Sequence, residues 1–197
     1  MDEPLPANTF NEARYYLMVS PCQACGKGPW EIDADPAPPQ AGRQTTFQAR
    51  CRSCGAARDF AFLCRHQVPS QGPQAECVNP TDSPSQIVDL AQWLSLFYVL
   101  IESAAKETSK PAARLAGYRA ALCLAEGLKF YGDDELPPQA AFFSTMTAEA
   151  LREHPERFAR QRLRDVQAKL PSLPAMARRL SRDERAQRRR WWQLWKR

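Results

Sequence analysis

At 197 residues the chain is long enough for one domain or two small ones, and its 44% hydrophobic and 25% charged residues match an ordinary soluble globular protein. The N-terminus, MDEPLPANTF, lacks the basic-then-apolar pattern of a secretory signal, and the most apolar run, residues 87–101, is too short to span a bilayer. The net charge of +5 is uneven: from Arg178 onward nine basic residues face two acidic ones, so the body before them is acidic by two and any electrostatic partner belongs to the tail.

Seven cysteines, an odd number, argue against a disulfide framework and for reduced thiols in a cytoplasmic protein. The seventeen prolines fall mostly in connections, which predicts short elements with hard stops.

In chain order, residues 9–19 (TFNEARYYLMV) keep helical spacing at Phe10, Ala13 and Leu17. YYLMV is also good strand material, but a short helix is the better reading. Three pairs with period two follow, Trp30/Ile32, Phe47/Ala49 and Phe60/Phe62, and predict three short strands, with the proline-rich loop 33–42 joining the first two. Residues 65–84 carry four prolines and almost no large apolar side chains, and read as a linker. Ser85 is the expected N-cap of a helix whose stripe is Ile87, Leu90, Leu94, Phe97 and Ile101.

Ser109 and Pro111 restart a helix that is expected to run to Gly132. One of its faces holds Leu115, Tyr118, Leu122 and Ala125. The other, Ala116, Ala120, Cys123 and Gly127, is made only of small residues and invites close approach by a neighbouring helix, so the two helices read as an antiparallel hairpin. A short helix is expected at 147–153 and another from Pro155 with Ala159, Leu163, Val166 and Leu170 on one side. PSLP (171–174) breaks the chain before a last helix-prone segment.

The chemistry lies in two matching pentapeptides, Cys22-Gln-Ala-Cys25-Gly26 and Cys51-Arg-Ser-Cys54-Gly55. Two intervening residues let one tight turn aim both sulfurs at one ion, and a following glycine suits the positive φ of such a turn. Either pair alone is also compatible with a redox motif, but the βαβ context of such motifs is missing. Over residues 20–64 the sequence resembles the zinc-ribbon family, in which two knuckles clamp one zinc ion. The resemblance implies that Cys22, Cys25, Cys51 and Cys54 are the ligands of one structural Zn2+, with no open position for water or substrate. Cys64 and His66 follow the third strand and are potential ligands. The simpler reading continues the Phe60/Phe62 face with Cys64 and starts the linker with His66. Cys77 is expected as an exposed thiol and Cys123 as packing.

The ribbon's net charge between Cys22 and Cys64 is only +1, a poor footprint for phosphate, so Trp30, Phe47, Phe60 and Phe62 read as core rather than base-stacking residues. The tail, DERAQRRRWWQLWKR, is the stronger candidate surface. Arg188, Arg189 and Arg190 suit phosphates or acidic groups, and Trp191, Trp192 and Trp195 suit bases, an apolar groove or a bilayer interface. No Gly-rich phosphate loop, HExxH or nucleophile elbow occurs, His154 reads as an N-cap, and Asp133-Asp134-Glu135 reads as a solvated turn.

The expectation is an α+β protein with a small three-stranded antiparallel zinc ribbon followed by an α-helical domain. The parts are 1–64 (helix and ribbon), 65–84 (linker), 85–170 (helical domain) and 171–197 (basic Trp-rich end). The expected function is non-catalytic and regulatory, with a protein partner. Nucleic-acid binding through the tail is the alternative, and membrane-surface association is the weaker one.

Overall fold

The computed structural model describes residues 3–34 and 36–195, with side chains as far as Ala186. Four strands form its sheet: β1 (Leu5–Ala7), β2 (Trp30–Ile32), β3 (Arg43–Cys51) and β4 (Ala57–Cys64), in the order β1-β4-β3-β2. β3 and β4 pair antiparallel from Arg43↔Cys64 to Arg50↔Ala57, and β2 lies antiparallel on the end of β3. The expected three-stranded antiparallel ribbon is therefore corrected. β1 adds a fourth strand that runs parallel to the end of β4, Leu5 beside Phe62 and Ala7 beside Cys64, and makes the sheet mixed. The pairing continues past it, with Arg65 N donating to Ala7 O and His66 N to Asn8 O.

Between β1 and β2 lies helix α1 (Phe10–Val19), which settles the ambiguous stretch as helix. Thr9 caps it by accepting a hydrogen bond from Glu12 N at 3.3 Å. Phe10 stacks on Phe47 with ring centroids 5.0 Å apart, and Tyr16 meets Phe60 and Phe62 edge-on. Ala13 and Leu17 are buried beside them, so one stripe of α1 covers one face of the sheet.

The proline-rich stretch after β4 is held against this layer. It makes a 3-10 turn at Pro73–Glu76 and buries Val78, whose carbonyl accepts from Thr9 Oγ1 at 2.6 Å. Asn11 Nδ2 donates to Ala75 O and Cys77 O. Cys77 is half-buried here rather than the exposed thiol expected, and burial pushes its thiol up.

Helices α2 (Leu90–Lys106) and α3 (Lys110–Leu128) form the hairpin. Gly127, near the end of α3, lies under Leu90, Trp93 and Leu94 at the start of α2, which fixes the antiparallel sense. Two boundaries differ from expectation. Asp89 caps α2, and Ser85 shapes the turn before it by accepting from Val88 N and Ile87 N. α3 stops at Leu128 instead of Gly132, closed by short-range bonds from Lys129 N and Phe130 N.

α4 (Thr145–Glu153) is capped by Ser144. His154 ends that helix and supplies no capping side-chain bond to the 3-10 turn Pro155–Phe158, contrary to its expected role. The next helix, α5 (Arg160–Ala168), starts after that turn rather than at Pro155. Asp133-Asp134-Glu135 is a bend, but Glu135 also finishes α5: its carbonyl accepts from Arg160 N and its Oε1 from Gln161 N. α6 (Leu173–Trp195) packs on α3, where Leu180 is buried and both carboxylate oxygens of Asp183 accept from Arg114 Nη1, at 2.7 and 2.8 Å.

The buried residues of sheet, α1 and hairpin join in one cluster, crossing from Phe47 and Phe62 through Leu17 and Tyr15 to Trp93 and Leu124. Tyr15 and Trp93 meet edge-on at 5.8 Å where the two layers join.

Candidate metal centre

The first knuckle follows α1 and the second closes the β3–β4 connection, so the sheet brings together two loops about 30 residues apart. Both turns use the anticipated glycine. Gly26 has φ 70° and donates to Cys22 O, and Gly55 has φ 75° and donates to Cys51 O. Trp30 of β2 pairs with Cys51 at the end of β3, which fixes the first loop beside the second. Arg52 N donates to Pro29 O at 3.0 Å, and Ser53 Oγ to Gly28 O at 2.9 Å, completing the seam.

The four sulfurs of Cys22, Cys25, Cys51 and Cys54 all lie within 4.8 Å of one another. Cys22 Sγ is 3.8 Å from Cys54 Sγ, and Cys25 Sγ is 3.7 Å from Cys51 Sγ. A tetrahedron with metal–sulfur bonds of about 2.3 Å has sulfur–sulfur edges of about 3.8 Å, so the spacing fits zinc. It is far too long for a disulfide, whose sulfurs are about 2.05 Å apart. The chemistry of the donor set agrees: four thiolates complete a tetrahedral sphere, leaving no place for a reacting water.

The surroundings of the thiols differ. Burial raises the Cys51 thiol, but the backbone N–H groups of Cys54 and Ser53 and the thiols of Cys54 and Cys22 outweigh it and hold the group down at about 7. For Cys54 the backbone at Ala56 pulls downward, while Cys25, burial and the remaining thiols prevail and push it up to about 12.

Cys64 and His66 do not join the group among the described residues. Cys64 is buried on β4, and burial, with the nearby Glu12 carboxylate, pushes its thiol up to about 11. Cys123 lies fully buried on α3, and its thiol is likewise pushed up, so both cysteines pack as apolar residues. Trp30, Phe47, Phe60 and Phe62 are all buried, so these four serve as core and not as an exposed stacking surface. The side chains of Arg188, Arg189, Arg190, Trp191, Trp192 and Trp195 lie outside the described residues. No described helix is long and apolar enough to cross a membrane.

Sequence reasoning missed two features. One is a groove of about 780 Å³ beside the knuckles, lined by Met18, Trp30, Arg52, Ser95, Val99 and Met146 among others. It draws on α1, β2, α2 and α4, so no local spacing announces it. The other is a buried polar knot in which Glu126 of α3 meets Asn79 and Lys129, close to the equally buried Glu12 of α1. Comparison with family models, with curated proteins and with solved structures finds no match, so the reading of this centre rests on its own four sulfurs.

Proposed function

We propose that the chain is a non-catalytic, zinc-binding interaction protein with a regulatory role in the cytoplasm. One structural Zn2+ held by Cys22, Cys25, Cys51 and Cys54 fixes the knuckles, and a protein partner engages the helical part and the basic Trp-rich end. Zinc binding to such sites contributes on the order of 10–16 kcal/mol, enough to stiffen a sheet this small.

The observation that carries the reading is the groove. Met18 is 42% exposed, Val99 57% and Met146 65%, and all three line one concavity. Scattered apolar residues on a surface are ordinary, whereas a contiguous apolar concavity marks a binding site. Methionine walls adapt to the shape of an apolar guest. The knuckle forms one wall through Trp30 and Arg52, so the metal supports the binding surface without taking part in chemistry.

The test compares the zinc-loaded full chain with Val99→Asp in affinity capture from cells that make the protein, alongside binding to DNA, RNA and anionic vesicles as salt is raised. A protein captured by the wild type and lost with Val99→Asp supports the reading. Strongly salt-dependent nucleic-acid binding that disappears when residues 183–197 are deleted, with capture unchanged by Val99→Asp, replaces it with the nucleic-acid alternative.

A further inference from the structure

We propose that the groove receives the C-terminal helix of a second copy of this chain, so that the protein self-associates tail into groove. The inference rests on the interaction-protein reading and names the partner at that surface.

The same chain carries both halves of such a contact. Trp191, Leu194 and Trp195 recur at i, i+3 and i+4, the sequence spacing of a helix that lays one stripe into an apolar groove, and the backbone there is helical to Trp195. The groove offers apolar Met18, Val99 and Met146, with Ser95, Glu31 and Arg52 also in its lining. The last twenty residues carry an excess of seven positive charges and the body they leave behind is acidic by two, so the tail is attracted to a body and repelled by another tail, while Glu31 and Arg52 offset each other in the groove lining itself.

A copy's own tail is on the wrong side of the molecule. Leu90, Trp93 and Leu94 turn toward α3 at Gly127, whereas Gln92, Ser95 and Val99 line the groove. At about 100° per residue those two sets lie on opposite sides of α2. α6 is fastened to α3 by buried Leu180 and by the Arg114–Asp183 pair, then continues as helix for twelve residues, about 18 Å. The α2–α3 pair thus stands between α6 and its own groove, and an unbroken helix cannot double back around it. A second copy meets no such obstacle. Two copies that exchange tails form a closed pair, each with its groove filled.

The test is sedimentation equilibrium of the zinc-loaded full chain over a wide concentration range, with Val99→Asp as the groove variant and Trp191→Ala/Trp195→Ala as the tail variant. Circular dichroism and zinc content establish that both variants remain folded. Wild type is expected to associate, and each variant to weaken association roughly tenfold or more. Mixing the two variants is the decisive measurement, because one contributes an intact tail and the other an intact groove. A one-to-one pair is expected in the mixture and in neither variant alone.

A wild-type chain that stays monomeric throughout, association indifferent to Val99→Asp, or a mixture that does not pair overturns the proposal. If the wild type is monomeric yet captures a different protein in a Val99-dependent way, self-association fails while the interaction-protein reading stands.

Discussion

Gly127 of α3 passes so close beneath Leu90 of α2 that a Cβ built on the glycine would stand 3.3 Å from Leu90 Cδ1, with Leu94 Cδ2 at 3.6 Å and Trp93 Cβ at 3.8 Å. The small-residue stripe is therefore the seam of the hairpin, with Ala120 and Cys123 fully buried along it. Gly127→Leu forces a whole side chain into that seam and is expected to destabilise the protein by about 1–3 kcal/mol. Denaturant unfolding measures it. An unchanged midpoint would mean that the helices separate easily and that the seam is not close-packed.

Zinc content tests the metal centre directly. Elemental analysis of protein prepared without chelator is expected to find about one zinc per chain, and Cys51→Ser to abolish stoichiometric binding. Cys64→Ser provides the contrast. Cys64 lies on the same strand layer but outside the four-sulfur group, so its zinc content is expected to match wild type even if packing suffers. Chelation is expected to lower the stability of wild type and to leave Cys51→Ser nearly unaffected.

Asp89 has two tasks with one carboxylate. Its Oδ1 accepts from Gln92 N at 2.9 Å while Gln92 Oε1 accepts from Asp89 N, a capping box at the start of α2. Its Oδ2 accepts from Phe143 N at 3.1 Å, tying the entry of α4 to the same point. Asp89→Ala removes the cap and strands a part-buried N–H, and is expected to cost about 2–3 kcal/mol. Asp89→Asn keeps one acceptor for the cap and is expected to cost less. Thermal unfolding of the two variants checks the order.

The reach of the sequence follows from how local each signal is. Two CxxCG turns lie within five residues each, and the pairs Trp30/Ile32, Phe47/Ala49 and Phe60/Phe62 alternate within three, so knuckles and central strands were legible. β1 was not, because Leu5-Pro6-Ala7 is three residues long, contains proline, and becomes a strand only by lying parallel to β4 some 57 residues later. The start of α2 was legible but misassigned. Asp89 followed three residues on by Gln92 is a capping-box pattern, and Ser85 lacks such a partner. Gly132 drew the end of α3 too far, since the helix yields earlier, where Lys129 N and Phe130 N turn to the carbonyls of Glu126 and Gly127. The groove depends on residues from 18 to 147 meeting in space, and nothing short of the fold displays it.

Glu126 predicts a pH dependence of stability. Its Oε2 accepts from Asn79 Nδ2 at 3.2 Å and its Oε1 from Lys129 Nζ at 2.7 Å, yet burial outweighs these partners, with Glu12 adding like charge, and pushes the carboxyl up to about 7 from its ordinary 4.5. Glu12, facing it from α1 and held by Asn8, is raised for the same reason, burial. Between these two pH values the folded state keeps a proton that the unfolded chain has released. The stabilisation is complete below about 4.5 and is lost as pH rises through about 7, up to about 3 kcal/mol for this group. Urea midpoints at constant ionic strength are therefore expected to fall between about pH 5.5 and about pH 8, roughly one to three and a half units above the ordinary carboxylate value. Glu126→Gln, which imitates the protonated carboxyl, is expected to flatten that slope and to gain relative to wild type as pH rises. A slope that survives the substitution intact would place the titrating group elsewhere and leave Glu126 ionised by Lys129 across the whole range.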